Sequence, residues 1–366
     1  MSKDGTHEAH DDGAPRISIA MATYNGGKYI LEQLNSISQQ NTLPFELIIC
    51  DDGSSDDTHD IINKFCETAP FPVRFIKNEV NLGYANNFLK AAKLCKGDWI
   101  SFCDQDDVWL PNKLSNTIKA IQMNKNAILI LQNAILSDTE LKIRGRLFPN
   151  AIKAGVYGAA RQRGHWVWFG FLQTCLADII REINSTDRPI MRAPDMMYSH
   201  DQWTCMIANA IGDIVVLDEP VALYRRHPSA LTGEHRVKNI KEYISNALST
   251  SSTHYESQAK AAISAARYAK DMAESCKNSA WQDRLSKAAD DFEKIAKIQT
   301  LRANIYAERN IFLRLKYVQK IFVAGGYFGS PMIALSAMSA VKDLAAAFGL
   351  VDQLKRKNRK TPSDPD

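Results

Sequence analysis

The sequence predicts an α/β protein, with a mostly parallel, Rossmann-like sheet over residues 16–235 and a helical C-terminal region over 236–366. Three observations predict it. Between residues 16 and 123, short apolar runs alternate with segments of helical period. The apolar runs stop in polar turns rich in aspartate and glycine, at 23–27, 51–58 and 104–107. Past about residue 236 the composition shifts to Ala, Lys, Ser and Glu. A parallel sheet binds ligands in the crevice beyond the carboxyl ends of its strands, so one crevice can collect all three turns.

Taken in order, Met1 to Pro15 is polar and acidic and reads as a disordered leader. Residues 16–22 (RISIAMA) read as the first strand, and Thr23-Tyr24-Asn25-Gly26-Gly27 as a turn that lets backbone pass close to a ligand. A helix follows with Ile30, Leu34 and Ile37 on one face. A strand at 46–50 ends in Asp51-Asp52-Gly53-Ser54-Ser55-Asp56-Asp57-Thr58, and a helix then turns Ile61, Ile62 and Phe65 inward. The unit repeats with a strand at 73–77, a turn at 78–83 and a helix at 84–95 burying Phe88, Ala91 and Ala92. The next strand, 99–103, stops at three carboxylates in four positions, Asp104, Asp106 and Asp107. Clustered carboxylates repel unless a cation sits among them, and hard oxygen ligands suit Mg²⁺ or Mn²⁺ carrying phosphate oxygens. The structural alternative is a solvated acidic turn before the helix near Pro111.

Composition narrows the class. A net charge of +4 over 366 residues does not argue for nucleic acid, and the first 230 residues hold no arginine-rich stripe with interleaved aromatics. Seven scattered cysteines without a CxxC pair speak against a disulfide framework or a zinc site, and for a reducing, cytoplasmic setting.

In combination, Ala22-Thr23-Tyr24-Asn25, the Asp51–Asp56 turn and Gly97-Asp98 through Asp104-Gln105-Asp106-Asp107 resemble the inverting family 2 glycosyltransferases of GT-A fold. Within that family the chain is similar to rhamnosyltransferase-like enzymes of bacterial surface-polysaccharide assembly. The resemblance covers about residues 16–232. It implies a nucleotide-diphosphate sugar donor, dTDP-rhamnose or a UDP-sugar, and a glycan or lipid-linked acceptor. It also implies that Thr23, Tyr24, Asn25, Asp51, Asp52 and Gln105 hold the nucleotide sugar, that Asp104 reaches ribose or metal, and that Asp106 ligates Mg²⁺ or Mn²⁺. Read alone, the Asp51-Asp52-Gly53-Ser54 turn is first an Asx-turn with a helix N-cap.

Past residue 111 a helix is expected at 114–123, a strand at 127–135 and a variable loop region at 137–160. The aromatic run holding Trp166 and Trp168 suits either a sugar face or a core. Tyr198-Ser199-His200-Asp201-Gln202-Trp203 resembles the family's catalytic acidic residue followed two positions later by an aromatic, which makes Asp201 the base and Trp203 an acceptor contact. After a strand at 214–217, Tyr224-Arg225-Arg226-His227 matches a family segment whose guanidinium groups and imidazole neutralise diphosphate or complete metal coordination.

Helical period runs from 240 to about 317. Residues 321–341 carry no formal charge, but Gly325, Gly326, Gly329 and Pro331 argue against a simple transmembrane span. Five cations lie within 355–360. The two together fit peripheral contact with an anionic membrane, at the cytoplasmic face of the inner membrane, and equally a helix packed on the catalytic domain or in a homodimer. Rival functions are a sugar-phosphate nucleotidyltransferase, which needs a better triphosphate loop than Thr23–Lys28, and a non-catalytic nucleotide-sugar-binding scaffold.

Overall fold

The computed structural model describes residues 13–148, 153–161, 168–192, 196–228 and 250–350. Its first half is laid down as β1 (Ile17–Thr23), α1 (Ile30–Ser38), β2 (Glu46–Asp51), α2 (Thr58–Thr68), β3 (Val73–Lys77), α3 (Tyr84–Leu94), β4 (Trp99–Cys103) and β5 (Val108–Trp109). Then come α4 (Lys113–Met123), β6 (Ala127–Ser137), β7 (Ile143–Arg146), β8 (Gly155–Tyr157), a 3₁₀ turn (Gly170–Leu172), β9 (Gln173–Leu176) and α5 (Ala177–Glu182). A small ribbon of β10 (Ile190–Arg192) and β11 (Met196–Met197) precedes α6 (His200–Ile211) and β12 (Asp213–Arg225). Among the described residues four further helices follow: α7 (Ser252–Ser275), α8 (Ser279–Ala307), α9 (Ile311–Val323) and α10 (Ala337–Ala347).

One sheet runs in the order β3-β2-β1-β4-β9-β6-β12-β5, with β7 on β6 and β8 on β12. The β3-β2-β1-β4 block is parallel, and so is β6 with β12. β9 joins the two blocks antiparallel to both neighbours. β1, β2 and β4 are buried along their whole length, as strands covered on both faces must be, which is why they read as unbroken apolar runs. Ile30, Leu34 and Ile37 of α1 and Phe88, Ala91 and Ala92 of α3 pack on them as expected.

Several expectations need correction. Residues 137–160 are not simply loop, since β7 and β8 pair antiparallel onto the sheet there. The strand expected at 214–217 runs on through Arg225, with its register shifting on either side of Pro220 because proline has no N–H to give the ladder. The charge-free stretch at 321–341 is not one helix: α9 ends at Val323, Gly325 adopts φ +72°, and α10 begins at Ala337. No helix among the described residues is long and apolar enough to cross a membrane. The cations at 355–360, the leader up to residue 12 and residues 229–249 lie outside the described residues.

The long helices share the core of the sheet. Tyr268, Met272, Trp281, Leu285 and Phe292 belong to the same apolar cluster as β1 and β6. A second cluster, with Ile298, Ile305, Val318, Ile321, Tyr327 and Ala347, joins α8 to α9 and α10.

Candidate active site

Parallel pairing sets Thr23 beside Asp51 and Met21 beside Cys103, so the turns after β1, β2 and β4 emerge together. Reciprocal bonds lace them. The Tyr24 N–H donates to Gln105 Oε1 (2.9 Å) while Gln105 Nε2 donates to the Tyr24 carbonyl (3.0 Å). Asn25, held at φ +47°, gives its N–H to Ser54 Oγ (2.8 Å) and accepts the Ser55 N–H on Oδ1 (2.8 Å). The Gly26 and Gly27 N–H groups reach Thr58 Oγ1 and Asp56 Oδ2. A Cβ on Gly26 would stand 2.3 Å from Gln105 Oε1, so this lacing requires glycine there. Asp52 accepts from Asn78 Nδ2 and the Leu82 N–H, both at 2.8 Å, which fixes the turn after β3 against the same crevice.

One carboxylate oxygen from each of Asp104, Asp106 and Asp107 lies within 4.8 Å of the others. Burial first, then the charges of Asp106 and Asp201, push the Asp104 carboxyl well above its usual range. Asp107 is raised in the same direction by burial, Asp106 and Asp104, against the Arg225 N–H that bonds its Oδ1 at 3.0 Å. Its Oδ2 is buried without a partner among the described residues. Behind the turn, burial lowers the Lys113 ammonium to about 7, while Cys103 and Asp107 hold it up; it donates to Gln132 Oε1 and the Phe171 carbonyl. Three close carboxylates, one with an orphaned oxygen, stand against a weakened Lys113 and an Arg225 guanidinium that bonds the Asp106 carbonyl and no carboxylate of the cluster. An all-oxygen donor set of this kind fits Mg²⁺ or Mn²⁺.

His227 Nε2 bonds Asp106 Oδ2 at 2.9 Å, and the imidazole packs against Tyr29. Asp201 sits in the first turn of α6, close enough to Asp104 to raise its pKa. Ser199 Oγ and the Gln202 N–H both donate to Asp201 Oδ1. Its neighbour His200 turns the other way, stacked on Phe88 at 4.1 Å and edge-on to Phe102, with neither ring nitrogen bonded among the described residues.

Residues 18–182 match the family model described as Glycosyl transferase family 2. Over that stretch, a little under half of its length, the chain is similar to family 2 glycosyltransferases. The curated relative UDP-Glc:alpha-D-GlcNAc-diphosphoundecaprenol beta-1,3-glucosyltransferase WfaP of Escherichia coli is 39% identical over 109 residues, 30% of this chain and 42% of that one. An uncharacterized protein of Mycobacterium tuberculosis is 29% identical over 223 residues, 58% of this chain and 59% of the relative. The chain thus spans less than two thirds of either relative's length. Among solved structures, S. aureus TarS 1-349 in complex with UDP aligns with TM-score 0.51 and 17% identity over 96% of this chain and 94% of that one, which establishes a shared fold.

Around this crevice the expected residues divide. Asp104, Asp106, Gln105, Tyr24, Asn25, His227 and Asp201 are brought to one crevice, as the lacing, the acidic cluster and the Asp201–Asp104 proximity record. Others are engaged inside the protein. Asp51 accepts from Thr23 Oγ1, Ser54 Oγ, the Gly53 and Ser54 N–H groups and bonds His59, so both its oxygens are engaged in the Asx-turn. Burial pushes its carboxyl up, but the Ser54, His59 and Thr23 bonds outweigh that and hold it below the usual range. Arg225 is buried, bonding the Asp106 and Thr139 carbonyls and Glu32 and stacking on Tyr29, which makes it a brace for the acidic turn and not a diphosphate clamp. Arg226 donates to Tyr224 Oη at 2.6 Å and lies over that ring.

The expected acceptor tryptophans are corrected as well. Trp168 is 3% exposed and donates to the Gln132 carbonyl, and Trp203 is fully buried and donates to Tyr268 Oη. Both are core, for burying an indole N–H demands a partner and each has one. Trp166 lies outside the described residues. Sequence reasoning gave no role to Glu32, Lys113 or Tyr84, and took Asp107 only as one of the clustered carboxylates. Asp107 was visible in the acidic run, whereas Glu32 and Lys113 gave no signal because their partners come from β12 and β6. Tyr84 follows Gly83, at φ +74°, and sits near Asp201; burial first and then that charge raise its phenol.

Proposed function

We propose that this chain catalyses inverting transfer of one sugar from a nucleotide-diphosphate donor to a hydroxyl of a glycan or lipid-linked acceptor in polysaccharide assembly. The observation that carries the reading is the cluster of Asp104, Asp106 and Asp107 at the end of β4 with Asp201 opposite it. Tyr24, Asn25, Asp52 and Gln105 would line the donor side of the crevice, and residues 16–235 would form the catalytic domain. Mg²⁺ or Mn²⁺ would be held by Asp104 and Asp106, with His227 at Asp106, and when bound supplies positive charge to the departing diphosphate. Asp201 removes the acceptor proton as the hydroxyl oxygen attacks the anomeric carbon from the face opposite the diphosphate. With Oδ1 engaged by Ser199 and Gln202, Oδ2 is the oxygen that takes the proton.

Two relatives support the substrate class. WfaP and WfgD of Escherichia coli are named for transfer from UDP-Glc to a GlcNAc-diphosphoundecaprenol. The fold neighbour TarS was crystallised with UDP and with UDP-GlcNAc. A lipid diphosphate acceptor would place the reaction at the cytoplasmic face of a membrane. The test is a screen of UDP-, dTDP- and GDP-sugars with Mn²⁺ and a polyprenyl-diphosphate GlcNAc acceptor, read by mass spectrometry. A product heavier by one sugar residue is expected from one donor. Folded, metal-loaded protein that binds a donor yet transfers to no hydroxyl acceptor would support the scaffold reading instead.

A further inference from the structure

Helix α10 is built inside out. Asp343 is 0% exposed, whereas Met338, Val341, Leu344 and Phe348, spaced so as to fall on one side of the helix, are exposed. What holds it this way is a buried polar knot: Arg302 of α8 forks onto Asp343 (2.9 and 3.1 Å) and reaches Tyr255 Oη, and Tyr327 Oη donates to Asp343 Oδ2. The neighbouring segment adds Phe322 (61% exposed), Val323 and Phe328 (70%), the two phenylalanines in edge contact at 5.8 Å. An exposed apolar surface of this extent marks an interaction site.

Charge identifies the occupant. From Arg309 to Lys360 the sequence has five cations up to Lys342 and five more at 355–360, against Asp343, which is already paired, and Asp352. Lys316 and Lys320 stand exposed on α9. A second copy would bring like charge against like, whereas an anionic bilayer accepts both the apolar side chains and the cations. We infer that α9, α10 and the segment between them form a monotopic docking face that lies in the headgroup region of an anionic membrane, the apolar side chains entering and the lysines at the phosphates. The proposal is independent of the transfer chemistry and can fail without affecting it.

The test is sedimentation of the full chain with vesicles of phosphatidylglycerol and phosphatidylcholine, beside vesicles of phosphatidylcholine alone. Binding is expected to the anionic vesicles and to fall in molar salt, where exposed charges are screened. Val341→Glu/Phe348→Glu and Phe322→Glu/Phe328→Glu should each lower partition by at least about tenfold, since losing one buried apolar side chain corresponds to about that factor. Unchanged circular dichroism and thermal midpoint keep a loss from being misread as unfolding. Wild-type protein that stays in the supernatant, or paired variants that bind like wild type, overturns the proposal. So does a wild-type dimer in light scattering that the Val341→Glu/Phe348→Glu variant converts to monomer, which would make this face a self-interface.

Discussion

His200 and Asp201 are adjacent in sequence and opposite in environment. The carboxylate of Asp201 faces the acidic turn, while the imidazole is held in an aromatic pocket. Asp201→Asn should keep donor affinity within a few-fold and lower kcat by roughly 10² to 10⁴-fold, the usual worth of a general base, as steady-state kinetics beside calorimetric donor titration would read. Loss of both together would make the residue structural. The His200 pKa is pushed from 6.5 down to about 4 by burial, which outweighs the nearby Asp201 charge and is aided by Arg188. As pH falls below 6.5 the unfolded chain takes up this proton first, so stability is full above that pH and lost on the way down to about 4. The loss should approach about 3 kcal/mol in urea unfolding, and His200→Leu should flatten that slope whatever it does to the baseline. The clustering of Asp104, Asp106 and Asp107 was legible because they stand within four positions at the end of one strand, whereas Asp201 was picked out by resemblance alone. Arg225 misled, since a guanidinium beside a diphosphate site reads as a ligand until its bonds to Glu32 and the Asp106 carbonyl are seen.

The elements legible in advance were those with a full period of pattern. β3 and β4 match their expected bounds, and α1 to α3 bury the expected faces, because five or more apolar residues in a row or a full helical period outvote local noise. β5, β8 and β9 have two to four residues, too few to show a period, and all three pair antiparallel. β12 was cut short because Asp218-Glu219-Pro220 resembles a terminator, while in the fold it is an irregular step in a continuing strand. The turn after β2 is the element on which the crevice depends most. Asp51→Ala would remove the fully buried acceptor that the hydroxyls of Thr23 and Ser54 and two N–H groups share. Chemical denaturation should show a loss of about 2–4 kcal/mol, as for other broken buried networks. A change under about 0.5 kcal/mol, the level of an ordinary surface substitution, would mean that the turn is held by its backbone alone.

At the scale of the whole molecule, composition alone separated sheet from helices, but it could not show that Tyr268 and Trp281 enter the core of the sheet or that a charged pair fastens the last helix. Asp343→Ala leaves Arg302 buried and unpaired, so it should cost about 3–5 kcal/mol in urea unfolding, and Arg302→Met added to it should restore most of that. No restoration would place the stability of this corner in Tyr255 and Tyr327 instead. The sheet order carries a further consequence, for the order of events during synthesis. β1 to β4 find their parallel partners among themselves as soon as they emerge. β5 has no partner until Ala222 and Leu223 arrive, the Asp107 carboxylate waits for the Arg225 N–H, and β6 keeps an open edge until β12 is made. An open edge on a half-built sheet invites pairing with other chains, so a nascent chain stalled before Asp213 is the form most in need of a chaperone. The acidic turn at 104–107 acquires the shape described above only after Arg225 has left the ribosome.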